Sequence, residues 1–310
     1  MYKKLCKTDQ QRYYNNFANP DRTETQAGLT ARLIFYTHQV EKGLSHQKIR
    51  PGFGKNAFEN LAKIMPKIRN HEDPAYQSTL AAIRSYFDHH NKYDFDISDK
   101  EAILGKKIVQ EVTGSKSKTG GRYQFSASDK LNNSQKTFVQ LFENRASVRE
   151  YSDAKVSRAK LHNAVKIASK TPSVCNRQSY RVTYIYDPKI IEKTLAVQGG
   201  FGGYELPPVL ALITADIEWF INENERNQAY IDGGLFLMAF LLGLENESLA
   251  ACTLNAMFWP KQDEKIREIL NISPSQVMIA FVAIGNFRDI NYAAKSFRYP
   301  KEHIIREIGK

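Results

Sequence analysis

The chain has 310 residues, 42% of them hydrophobic, enough to bury a large core in one or two domains. Its net charge of +11 is uneven: residues 1–135 hold 22 Lys and Arg against 14 Asp and Glu. Such an excess attracts anionic polymers or surfaces but names no function. The longest apolar run, 235–244, is too short to span a membrane and stops at Glu245. No apolar segment follows the basic N-terminus, so no secretory signal is expected. Cys6, Cys175 and Cys252 lie far apart with no C-x-x-C pair. An odd count without a framework points to a reducing, cytoplasmic setting and away from a cysteine-rich metal site.

In chain order, residues 26–44 carry Leu29, Leu33, Tyr36, Val40 and Leu44 at spacings of three or four, which predicts a helix with one buried face. Segments 55–69 and 75–90 repeat that texture between Pro51, Pro66 and Pro74, and a shorter helix is expected over 99–112. Within the first helix, His38, Glu41 and Lys42 share a face. H-x-x-E supplies two metal ligands where a site needs at least three, so a helix-end ion cluster capped by Gly43 is expected. Residues 113–130 are rich in Gly, Ser and Lys and read as a linker or mobile loop. The expected organisation is a helical region over 1–112, that linker, and a second domain over 131–310.

Beyond it the pattern predicts helices at 133–144 and 157–170, then strands at 181–187 and 208–215. A long helix follows over about 222–246, its second half apolar nearly all round and so buried. Strands at 249–254 and 277–285 enclose a helix at 262–270. Helices against a small sheet make an α+β fold. Neither a G-x-G-x-x-G after an opening strand nor a Walker A sequence is present. Aromatics are plentiful, but no nucleic-acid recognition motif accompanies them.

Arg145, Ser147 and Arg149 recur at every second position. An extended chain puts all three on one side, a set of donors suited to phosphate. Then come Pro172-Ser173, Asn176 and Gln178; next Asp232-Gly233 opening the apolar helix; and finally Gly285, Lys295, Ser296-x-Arg298 and Pro300.

This series, over about residues 136–306, resembles the FMN-dependent nitroreductase family: R-x-S-x-R, P-S-x-x-N-x-Q, a D-x-G helix, and a late S-x-R-x-P. The resemblance implies a small mixed or antiparallel sheet flanked by helices, here preceded by a helical region. It implies FMN as cofactor, NADH or NADPH as electron donor, and a small electron-poor acceptor reduced by a ping-pong mechanism. It also implies a homodimer with FMN at the interface. Arg145, Ser147 and Arg298, with Lys295 beside Ser296, would grip the FMN phosphate. Arg149 and Asn176 would reach the flavin ring, and a backbone amide near Ala250 and Ala251 would approach its N5. No side-chain acid or base is required, so no catalytic residue is named.

Each position also has a plainer reading. Ser173 can be a turn or cap residue, Gln178 a loop brace, and Asp232 a helix cap. Cys175 and Cys252 read as small inert core residues. The GGFGG run at 199–203 reads as a mobile loop near the flavin. The family's second basic residue is Ala146 here. The segment after the long helix is ENESLAAC rather than a short glycine-rich run. A specialised flavin oxidoreductase acting on a sugar- or peptide-linked intermediate is an alternative. A binding protein with a degenerate flavin fold is another. Similar H-x-x-E-K-G-L and F-G segments precede nitroreductase-like domains linked to bacterial surface-polysaccharide synthesis.

Overall fold

The computed structural model describes residues 2–21 and 24–309. Contacts divide the chain into a helical unit, Lys7–Gln124 with residues 292–309, and a sheet unit, Phe125–Asn291 with residues 2–6.

The chain opens with α1 (Tyr2–Asn16), which buries no residue. The helical unit is built from α2 (Gln26–Leu44), α3 (Lys55–Ile64), α4 (Pro74–Lys92) and α5 (Ser98–Gly114). Its starts are capped locally: Thr25 accepts the Gly28 N–H, and Asp73 accepts that of Ala75, with Pro74 in the first turn where its missing donor costs nothing. Leu29, Leu33, Val40 and Leu44 share a core with Phe58 and Leu61 of α3 and Tyr76, Ile83 and Tyr86 of α4. Each such side chain contributes about 1.5–3 kcal/mol by leaving water.

Gly43 is not a cap. It lies inside α2, and a Cβ there would sit 1.9 Å from Phe53 Cε2. The missing side chain is the slot for that ring, and the C-cap of α2 is Ser45, whose N–H bonds the Glu41 carbonyl.

Residues 113–130 hold more structure than a linker. Gly120 lies against α4 so closely that a Cβ would meet Ser78 O at 2.0 Å. Strand β1 (Arg122–Ser126) follows, then a 3₁₀ turn over Ala127–Lys130. Glycine and serine here serve close packing, which composition alone reads as flexibility.

In the sheet unit come α6 (Phe138–Asn144), α7 (Arg158–Ala168), β2 (Tyr180–Ile185) and α8 (Pro188–Gln198). Then follow β3 (Val209–Asp216), α9 (Gln228–Asn246), β4 (Leu249–Asn255), α10 (Pro260–Leu270) and β5 (Gln276–Asn286). Four strands make one antiparallel sheet in the order β2-β3-β5-β4. Strand β6 (Ile290–Ala294) pairs with β1 in a two-stranded sheet, and α11 (Lys301–Ile304) ends the order. The architecture is α+β, as the pattern predicts.

Seven of the eight residues of β3 are buried, as a central strand covered on both faces requires. One face carries Phe236, Phe240 and Leu244 of α9 with Leu161 and Ala164 of α7. Gly243 lets these helices touch: a Cβ there would lie 2.6 Å from Ala164 O. By length and composition α9 alone among the described residues suits a membrane span, yet Phe236, Phe240 and Leu244 are core. Helix α8 goes unread in the sequence, although Asp187 caps it and Pro188 opens it; that pair reads equally well as the end of β2.

Candidate functional site

Helix α6 stops at Asn144, and Arg145 is already extended at φ −62°, ψ 129°. The chain then runs alongside β4: Ser147 pairs in parallel with Ala251, and the Val148 N–H donates to Ala251 O at 3.0 Å. Ala146 and Val148 point into the core, while Arg145 and Ser147 are half-buried. The expected alternation is present, with one addition. Arg149 is only 8% exposed, and its Nε and Nη1 meet no hydrogen-bond partner among the described residues. A buried donor left unpaired costs about 1–3 kcal/mol, and more when charged.

Tyr151 closes the segment. Its buried hydroxyl lies 2.9 Å from Val148 O and 3.0 Å from Ala283 O, and burial pushes its pKa well up. Gly285 makes room for the ring, since a Cβ there would fall 2.4 Å from it. The glycine of the late motif therefore serves the first motif by packing.

The other end of the segment is fixed by a buried polar cluster that sequence reasoning missed. Lys130 Nζ donates to Asn144 O and, at 2.9 Å, to Glu245 Oε1. Asn133 Nδ2 donates to Glu245 O at 2.7 Å, and Asn144 Nδ2 to Asn133 Oδ1 at 3.1 Å. Burial lowers the Lys130 pKa and raises that of Glu245, and each partner's charge opposes the shift. The one available signal was Glu245 interrupting an apolar run.

The loop 173–178 is held from within and from α9. Ser173 Oγ accepts the Gln178 N–H at 2.9 Å, and Gln178 Nε2 donates to Asn176 O at 3.1 Å. Asp232, 1% exposed, accepts from Val174 N and from Gln228 Nε2. Its position in the second turn of α9 makes it a loop anchor rather than a helix cap. Cys175, Asn176 and Gln178 all have left-handed φ, at 48°, 55° and 52°. Such residues cost about 1–3 kcal/mol each and cluster where function needs a fixed shape. Asn176 is exposed at the turn. Cys175 is exposed too, so it is not a core residue, whereas Cys252 is buried. Beside Gln178 lies a cavity of about 520 Å³ lined by His162, Tyr180, Arg181, Tyr184 and Phe236.

Ala250 is fully buried in β4, and Ala251 anchors the Ser147 segment. Phe201 is buried, which ties down the GGFGG run. Lys295, Ser296 and Arg298 belong to the helical unit. There Lys295 Nζ donates to Lys118 O, the Ser296 N–H to Glu41 Oε1, and Arg298 Nη1 to the carbonyls of Ser296 and Phe297.

Residues 142–201 match the Nitroreductase family. That stretch contains both Arg145–Arg149 and Ser173–Gln178, the first two motifs of the sequence resemblance. Solved structures similar to this chain include a nitroreductase family protein from Clostridium difficile 630, 22% identical, with TM-score 0.47 over 55% of this chain and 98% of that one. NfrA2 of B. megaterium is 16% identical, with TM-score 0.49 over 58% and 76% of the two chains. An FMN-dependent nitroreductase from C. difficile R20291 is 20% identical, with TM-score 0.42 over 48% and 87%. No curated protein matches the chain. The matched segment begins in α6 and ends just past α8, so it spans Arg149 and the loop 173–178.

Proposed function

We propose that the sheet unit binds FMN and that the protein is an FMN-dependent NAD(P)H oxidoreductase of nitroreductase type. The observation that carries this is Arg149: a buried guanidinium without an acceptor, at the end of an extended R-x-S-x-R segment tied to β4. The protein keeps that donor unpaired for something that arrives from outside. FMN fits the donor set, with a dianionic phosphate for Arg145 and Ser147 and a ring edge rich in acceptors for Arg149.

Bound there, FMN would supply two-electron chemistry of the ping-pong kind between NADH or NADPH and a small electron-poor acceptor. The side chains orient and polarise. Arg145 and Ser147 fix the phosphate end. Asn176, held in a left-handed turn, offers both a donor and an acceptor to the flavin edge. Ser173, Gln178 and Asp232 keep that turn in shape, and Ala250 and Ala251 form the strand that positions Ser147. No side chain is required as acid or base.

Tyr230, Ile231 and Leu235 expose apolar surface on α9, as Phe138, Val139 and Phe142 do on α6. A second copy covering these faces agrees with a homodimer in the cytoplasm. The test is to denature the purified protein, identify any released flavin, and titrate the stripped protein with FMN. Absence of both flavin and binding overturns the reading.

A further inference from the structure

The H-x-x-E segment of α2 does not enter the flavin reading, yet it lines a cavity of its own. Within the helical unit, a space of about 120 Å³ is bounded by Ile34, Thr37, His38 and Glu41 of α2, Ala75 and Ser78 of α4, and Ser296, Phe297 and Arg298 near the end of the chain. Ser78 is 1% exposed, and its Oγ has no hydrogen-bond partner among the described residues.

The polarity of this lining can be worked out atom by atom. Thr79 spends its one hydroxyl proton on Ala75 O, at 2.8 Å. The 2.8 Å contact between Thr37 and Thr79 is therefore donated by Thr37, which leaves the Thr37 oxygen as an acceptor. Glu41 is 2% exposed; its Oε1 accepts the N–H of Gly121 at 3.1 Å and of Ser296 at 3.3 Å, while Oε2 faces His38 Nδ1 at 3.4 Å. A carboxylate offers about four lone-pair sites, so capacity remains. Set among the apolar side chains of Ile34, Ala75 and Phe297, Thr37, Ser78 and Glu41 thus offer three acceptor groups and one negative charge.

The rim has the opposite character. Arg298 is exposed, with Nη1 turned to two backbone carbonyls and its other N–H groups uncommitted among the described residues. The arrangement is not a hydrolytic relay. Ser296 Oγ, at 3.5 Å, and Glu41 approach the same His38 nitrogen, so no proton can pass through the ring between them.

We propose that this cavity binds a small zwitterion of the α-amino acid class. Its ammonium group would enter toward Glu41, Thr37 and Ser78, and its carboxylate would meet Arg298 at the rim. A primary ammonium has three donors, which suits three acceptors deep in the wall, and the volume suits a short side chain. The proposal does not depend on flavin binding in the other unit.

The test is calorimetric titration and thermal melting of the full chain with alanine, with methylamine and acetate as single-charge probes. Alanine at about 10 mM is expected to raise the melting temperature, and each probe alone to do far less. Ser78→Ala deletes a hydroxyl with no partner among the described residues, so it should fold as the wild type does and bind alanine about tenfold more weakly. Arg298→Gln, at an exposed position, should do the same. No response to alanine overturns the proposal. So does equal binding of alanine by the wild type and both variants, and so does methylamine binding as well as alanine.

Discussion

The Asp232 carboxylate accepts the Val174 N–H through both oxygens, at 3.3 and 3.2 Å. A helix in the core thereby holds a loop whose backbone would not keep its shape alone. Left-handed φ at Cys175, Asn176 and Gln178 is unfavourable for residues with a Cβ, and Asp232 together with Ser173 Oγ offsets it. Asp232→Ala should therefore cost about 1–3 kcal/mol of stability, the scale of a buried donor losing its partner. It should also speed exchange of the Val174 and Gln178 amides. A melting curve together with amide hydrogen exchange checks this; unchanged exchange in the loop would show that the anchor is idle.

The two ends of the proposed cofactor separate by mutation. Arg145→Ala removes a charged donor from the phosphate end and should weaken FMN binding by about 1.5–3 kcal/mol. Asn176→Ala should weaken it less while altering the flavin's potential and absorption, because Asn176 would touch the ring. Fluorescence titration and potentiometry read the two effects. Equal losses of affinity at unchanged potential would count against this placement.

The alternation of Arg145, Ser147 and Arg149 was legible because period two has one meaning in an extended chain. The buried face of α2 was legible for the same reason at period 3.6. What escaped depends on long-range partners. Nothing near Lys130 announces that Glu245 lies 2.9 Å away across 115 positions. Gly43 reads as a helix end until Phe53 is seen lying against it. In the late S-x-R segment the Ser296 N–H is bonded to Glu41, a partner 255 residues upstream that no spacing reveals.

Lys130 and Glu245 each have a side chain 3% exposed, so both charges are desolvated. Removing one strands the other: Lys130→Met alone should cost about 3–5 kcal/mol. Lys130→Met with Glu245→Leu should recover part of that loss, since an apolar pair needs no compensation. A double-mutant cycle in urea measures the coupling. Additive losses would show that the two charges act independently.

Arg177 holds the Glu225 carboxylate well below its usual range, at about 2 instead of 4.5. The folded pKa is depressed, so this contribution is complete above the unfolded value. It is lost as pH falls from about 4.5 through about 2. Glu225→Gln should therefore melt below the wild type at pH 6 and converge with it near pH 2. Parallel curves over that range would remove Glu225 from the acid response.

Arg149 carries the reading of function, and it makes opposite demands on the two states of the protein. Its buried Nε and Nη1 have no hydrogen-bond partner among the described residues, and an unpaired buried charge is expected to destabilise a fold. Arg149→Met should then leave the flavin-free protein as stable as the wild type or more so, while weakening FMN binding. A residue kept only for structure would lower the flavin-free melting temperature instead. The charge can be tested separately. Reduction places negative charge on the pyrimidine end of the flavin, and a guanidinium there favours the reduced form. Arg149→Lys keeps the charge but loses the planar fork, whereas Arg149→Gln keeps a donor and loses the charge. Gln should lower the reduction potential clearly more than Lys does, by about 30 mV for each ~1.4 kcal/mol of lost two-electron stabilisation. Potentials of the two variants measured side by side decide the matter. If both keep the wild-type potential and simply lose FMN as Arg145→Ala does, then Arg149 grips the phosphate and the cofactor lies the other way along the segment.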